Sequence, residues 1–99
     1  MIDALTIENF DENTNDGVCF IKFWTKTCMP CRAYGRTFEQ FASRNDNIKC
    51  FSVDGVEQID LSQRFSIRTV PTTIIMIDGV VEKVLNGALS LVELEEYAK

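Results

Sequence analysis

The residue pattern predicts an α/β fold in the order βαβαβαββα: a central mixed β-sheet flanked by helices on both faces. Three observations carry this. Val18-Cys19-Phe20-Ile21-Lys22-Phe23-Trp24 is nearly all apolar and rich in β-formers, as a strand covered on both faces should be. A helical pattern follows at once, with Tyr34, Phe38, Phe41 and Ala42 on one stripe. Near the end, Asp78-Gly79 links two short β-rich runs, which reads as a tight hairpin. A βαβ opening makes parallel neighbours and a hairpin makes antiparallel ones, so the sheet is mixed.

Residues 2–6 read as a short first strand. Thr6 is expected to cap a weak helix over 7–13, which its Asn and Asp content undermines. Asn13-Thr14-Asn15-Asp16-Gly17 is a turn into the strand over 18–24. Pro30 suits the first turn of the next helix, where a missing N–H costs nothing, and Asn45-Asp46-Asn47 stops that helix near residue 44. A third strand spans 48–53, and Ile59, Leu61 and Phe65 suggest a short helix over 57–66. Strands over 73–77 and 80–85 flank the Asp78-Gly79 turn. Ser90 and Glu93 form a capping box for a last helix with Leu91, Leu94 and Ala98 facing inward.

At 99 residues the chain is expected to be one domain, 1–99, with a real core. Its net charge of −5 argues against nucleic acid or an acidic membrane surface as partner. No apolar run approaches the ~20 residues of a membrane span, and the start lacks the basic and apolar pattern of a signal peptide. A cytoplasmic monomer is the expectation, in a compartment where structural disulfides are uncommon.

Four cysteines and no histidine narrow the chemistry. Without His there is no Ser/His or Cys/His dyad and no His-ligated zinc. A thiolate metal site would need Cys19, Cys28, Cys31 and Cys50 together, yet Cys19 and Cys50 stand alone in apolar runs. No metal and no cofactor is expected. Cys28-Met29-Pro30-Cys31 lies where strand gives way to helix. That puts the first sulfur at the exposed helix N-terminus, where unpaired N–H groups and the helix dipole favour thiolate, and the second one turn further in. The pair reads as a dithiol that exchanges disulfides, with Lys26 and Arg32 as flanking charges that ease thiolate formation only weakly.

The chain resembles the thioredoxin family over nearly its whole length. The resemblance rests on Phe23-Trp24 leading to Cys28-Met29-Pro30-Cys31-Arg32, on Val53-Asp54, on Phe65-Ser66-Ile67-Arg68-Thr69-Val70-Pro71-Thr72, on Asp78-Gly79 and on Asn86-Gly87-Ala88. It implies a thioredoxin fold and a cis peptide bond at Val70–Pro71 beside the dithiol, although propensity alone favours trans. It implies Cys28 as nucleophile and Cys31 as resolving thiol. Substrate contacts are expected from Trp24, Met29, Pro30, Val70 and Pro71, with Trp24 also packing under the loop. The implied partners are disulfide-containing protein substrates and a recycling reductase. Pro30 before the second cysteine resembles reducing members, and Met29 replaces a usual glycine.

Three positions depart from the family pattern: Thr27 replaces a tryptophan, Arg36 a helix-kinking proline, and Lys22 a buried acid. Cys50 stands where that acid's usual lysine partner would be. Lys22 either tunes the thiol pKa values by charge or snorkels outward and only packs. Cys50 is either an inert small hydrophobe or, if near Lys22, an accessory thiol. Two other functions compete with a protein-disulfide reductase. One is a glutaredoxin-type, glutathione-linked reductant, against which the Gly-Gly turn after the proline strand is absent. The other is a binding module in which the dithiol is incidental.

Overall fold

The computed structural model describes residues 2–99. Its elements are β1 (Asp3–Ala4), α1 (Phe10–Thr14), β2 (Val18–Trp24), α2 (Met29–Arg44), β3 (Lys49–Asp54), α3 (Ile59–Arg64), β4 (Thr72–Ile77), β5 (Val80–Asn86) and α4 (Leu91–Tyr97). The sheet order is β1-β3-β2-β4-β5. β1, β3 and β2 run parallel, and β4 and β5 are antiparallel to their neighbours. The expected mixed sheet is present, with β2 at its centre.

Alternation along β2 divides the core in two. Cys19, Ile21 and Phe23 join Phe10 and Leu61 on the face covered by α1 and α3, while Phe20 joins Tyr34, Phe38, Phe41 and Leu94 on the α2 and α4 face. Lys22 follows Phe20 by two residues and so faces α2. Burying each of these large apolar side chains contributes about 1.5–3 kcal/mol.

The local predictions hold where the determinants are local. Asp78 and Gly79 both have positive φ, 50° and 83°, as a type I′ hairpin turn requires. The Ser90–Glu93 capping box closes reciprocally, with contacts of 3.1 and 2.9 Å. The N-terminal region differs from expectation. β1 shrinks to two residues paired with Phe51 and Ser52, and α1 begins only at Phe10 with Asn9, not Thr6, at its N-terminus. The Asn9 side chain accepts the Thr6 N–H at 2.8 Å, and this turn takes the residues that a helix from residue 7 would use.

Tyr34 ties α2 to β4 inside the core. Its hydroxyl lies 2.7 Å from Thr73 Oγ1, and burial pushes its pKa up to about 12. A phenol that holds its proton more tightly folded than unfolded adds stability that is fully present below its unfolded pKa near 10 and lost as pH rises through about 12. Tyr34→Phe is expected to cost about 1–3 kcal/mol at pH 7, because Thr73 loses its buried partner. The variant should also lose less stability than the parent between about pH 10 and 12, by up to ~1.4 kcal/mol per pH unit. Urea unfolding at stepped pH checks both; parallel pH profiles would refute the alkaline part.

Candidate redox site

The site grows from the end of β2. The chain leaves the sheet at Trp24, turns through Thr25-Lys26-Thr27, and enters α2 with Cys28 as N-cap and Pro30 in the first turn. Cys28 Sγ accepts the Cys31 backbone N–H at 3.2 Å, so the cysteine fills the role that Ser or Asp usually takes at this position. The two sulfurs are bonded to each other, with their Cα atoms 5.3 Å apart. Cys28 is half-buried, whereas Cys31 is 5 % exposed. One sulfur is open to a partner and the other is screened.

The Val70–Pro71 bond is cis, and the Val70 carbonyl oxygen lies 3.6 Å from Cys28 Sγ. Pro71 is buried, and its carbonyl accepts the Gly87 N–H at 2.8 Å, which ties the loop to the end of β5. Val70 packs half-buried against the core formed with α1 and α3. Met29 is 70 % exposed and Pro30 is also exposed, so both stand on the rim. Trp24 is half-buried and lines a cleft on the Cys31 side instead. Of the expected contact residues, the structure sets Val70 against the Cys28 sulfur, Met29 and Pro30 exposed in the first turn of α2, Pro71 buried, and Trp24 in the cleft with Cys31.

The cleft measures about 510 Å³ and is lined by Lys22, Trp24, Thr25, Lys26, Cys31, Arg32 and Gly35. Lys22 reaches it along the face of α2, its ammonium 5.6 Å from the Phe38 ring centroid. Burial holds that ammonium below the ordinary lysine pKa, with Glu39 pulling the other way. Gly35 lies beside it: a Cβ there would touch Lys22 Nζ at 3.4 Å, an ordinary van der Waals contact. Lys22 is therefore half-buried, held against α2 at the edge of the cleft.

Cys50 pairs with Phe20 in the sheet, two steps along from the Lys22–Ser52 pair. Burial pushes its thiol up to about 12, and burial also raises Cys19. Neither is a thiolate near neutral pH. Among the described residues no group of three or more His, Cys, Asp or Glu side chains could hold a metal ion, and no helix is long and apolar enough to cross a membrane. Sequence reasoning noticed Lys22, Lys26 and Arg32 one at a time but missed their convergence. They lie on a strand, a loop and a helix, so no spacing rule connects them.

A Cys-x-x-Cys disulfide at a helix N-terminus, facing a cis-proline on a mixed five-stranded sheet, defines the class of α/β proteins built around a redox-active disulfide. The thioredoxin family model matches residues 1–99. The chain is 36 % identical over 86 residues to the putative thioredoxin 2 of Streptomyces coelicolor, covering 86 % of this chain but 64 % of that protein's length. It is 28 % identical over 97 residues to the thioredoxin of Listeria monocytogenes, covering 97 % and 94 % of the two chains. With the thioredoxin of Staphylococcus saprophyticus the identity is 34 % over 81 residues, covering 79 % and 76 %. The chain belongs to the thioredoxin family.

Proposed function

We propose that the protein is a thiol–disulfide oxidoreductase that reduces disulfides in other proteins through a Cys28/Cys31 cycle. The observation that carries this reading is the asymmetry of the two sulfurs: Cys28 half-exposed at the helix N-cap, Cys31 only 5 % exposed behind it. In the reduced protein, the Cys31 N–H that points at Cys28 Sγ favours a Cys28 thiolate, and the helix dipole adds to it. That thiolate attacks one sulfur of a substrate disulfide; an S–S bond forms to Cys28, and the other substrate sulfur leaves as thiolate. Cys31 then attacks Cys28, restoring the intramolecular disulfide and releasing the second substrate sulfur. Two electrons pass to the substrate, whose thiolates take protons from water. A separate reductase returns the electrons.

Val70, Pro71, Met29 and Pro30 form the surface on which an extended substrate segment lies against Cys28. The Val70 carbonyl oxygen lies 3.6 Å from the Cys28 sulfur. Lys22 acts on the reduced pair by charge. An ammonium in the cleft that Cys31 also lines stabilises a thiolate there without having to accept its proton.

One experiment tests both parts: redox titration in defined dithiol buffers, with free thiols trapped and located by mass spectrometry, on the parent and Lys22→Met. The parent should show a single two-electron couple confined to Cys28 and Cys31, near the roughly −270 mV of reducing thioredoxins. A couple near about −180 mV would point to an oxidant or isomerase, and absence of cycling would leave a binding module. Lys22→Met should raise the pKa of Cys28 or Cys31 by on the order of one unit and make the couple more reducing. Unchanged thiol titration at both sulfurs would remove Lys22 from the mechanism.

A further inference from the structure

The cations of this acidic chain are unevenly paired. Arg44, Lys49, Arg64 and Lys99 sit in surface ion pairs with Glu95, Asp16, Asp11 and Glu96. Six cations have no carboxylate within ion-pair distance among the described residues; Arg36, Arg68 and Lys83 lie outside the cleft beside Cys31, whereas Lys22, Lys26 and Arg32 all line it. They come from three different elements: the core strand β2, the loop after it, and the first turn of α2. No acidic side chain lines the cleft. Glu39, the carboxylate that acts on Lys22, lies beyond ion-pair reach. Lys26 also borders a smaller groove with Asp54 and Glu57, but the Asp54 carboxylate already accepts the N–H groups of Val56 and Glu57 at 3.0 and 3.2 Å.

Gathering like charges into a concavity with low-dielectric walls is costly unless something of opposite sign enters. Here Trp24 and the α2 backbone at Gly35 wall the side of the cleft where Lys22 is half-buried, while Lys26 and Arg32 stand exposed at its rim. A carboxylate from this chain would have been the simplest partner, and none is supplied. We propose that the cleft is a binding site for a phosphate-type oxyanion, held between Lys22, Lys26 and Arg32 beside Cys31. Arg32 offers planar paired donors suited to phosphate, and the two lysines act as point charges. At about 510 Å³ the cleft exceeds the needs of one inorganic phosphate. It accepts the ion free or as the charged end of a small phosphate ester.

Occupancy has a redox consequence. The bound anion and a thiolate at Cys31 compete for the same cations, so the anion raises the thiol pKa. By reciprocity it binds the disulfide form more tightly than the thiolate form. Stabilising the disulfide form makes the couple more reducing. The site itself does not depend on turnover, because it is measured on the oxidised protein alone.

The test is an NMR titration of the oxidised full chain with inorganic phosphate, then with glycerol 3-phosphate, at ionic strength held constant with chloride. Saturable shifts are expected at the amides of Thr25, Lys26, Cys31, Arg32 and Gly35. Affinity should fall at least about tenfold in Lys22→Met and in Lys26→Gln, the loss expected for one charge-assisted hydrogen bond. Lys26 is exposed, so its variant keeps the fold even if Lys22→Met does not. Tighter binding of the ester identifies a phosphorylated metabolite as the ligand, and equal binding identifies the free ion. Shifts that do not saturate, that chloride reproduces, or that persist unchanged in Lys26→Gln overturn the proposal.

Discussion

Serine at Cys28 is expected to lower reduction of a protein disulfide by roughly a thousandfold or more. The sulfur at the helix N-cap is then gone, and Cys50, though equally half-buried, is kept as a thiol by burial. Serine at Cys31 should also stop turnover, but by a different route. The first exchange still proceeds, Cys28 stays bonded to its substrate, and mixed disulfides accumulate. The two outcomes follow from position: Cys28 is half-exposed at the N-cap, and Cys31 is screened in the first turn of α2. Non-reducing electrophoresis of both variants after incubation with a disulfide-bonded protein separates them. Adducts through Cys28 in Cys31→Ser, and none in Cys28→Ser, are the expected pair. Adducts that form equally in Cys28→Ser would mean that Cys31, Cys19 or Cys50 is the attacking sulfur, and the assignment of roles would fall.

The largest expected loss of stability is at Phe38. Its ring is fully buried, packs at 5.9 Å from Tyr34 and 6.3 Å from Phe41, and carries the Lys22 ammonium on its face at 5.6 Å. Phe38→Ala should cost about 3–5 kcal/mol, because it removes buried apolar surface and leaves a cavity between rigid elements. A domain of this size has only about 5–15 kcal/mol to lose, so the variant sits close to unfolding. Phe38→Leu keeps most of the volume and removes only the aromatic face, which should cost less and release Lys22 from its ring. Urea unfolding of both, with the thiol pKa values of Phe38→Leu measured alongside, tests the packing and the tether together. A loss under about 1 kcal/mol in Phe38→Ala would contradict the packing described for this face.

Much of this arrangement was legible in residue order, because its causes are short-range. The apolar run from Val18 to Trp24 marks a strand buried on both faces, and the structure gives that strand the same ends. Asp78-Gly79 specifies its hairpin through backbone preference, Ser90 and Glu93 cap α4, and Pro30 marks the start of α2. Where competing local bonds are of similar strength, the sequence misplaces the boundary. Thr6 is the expected cap, but its N–H bonds to the Asn9 side chain in a turn, and α1 starts later, after Asn9. Propensity favoured trans at Val70–Pro71; only the resemblance to a family indicated the cis bond that the structure contains.

By themselves, then, the residues determined the alternation of strands and helices and the placing of Cys28 and Cys31 at the start of a helix. Tertiary structure alone decided which way Lys22 points, that Cys50 lies two pairs away from it, and that Lys26 and Arg32 share its cleft. The reason is one of range. Periodicity, caps and turns act over a few residues, while the direction of a long side chain and the shape of a cleft depend on elements distant in sequence that meet only when the sheet and helices pack.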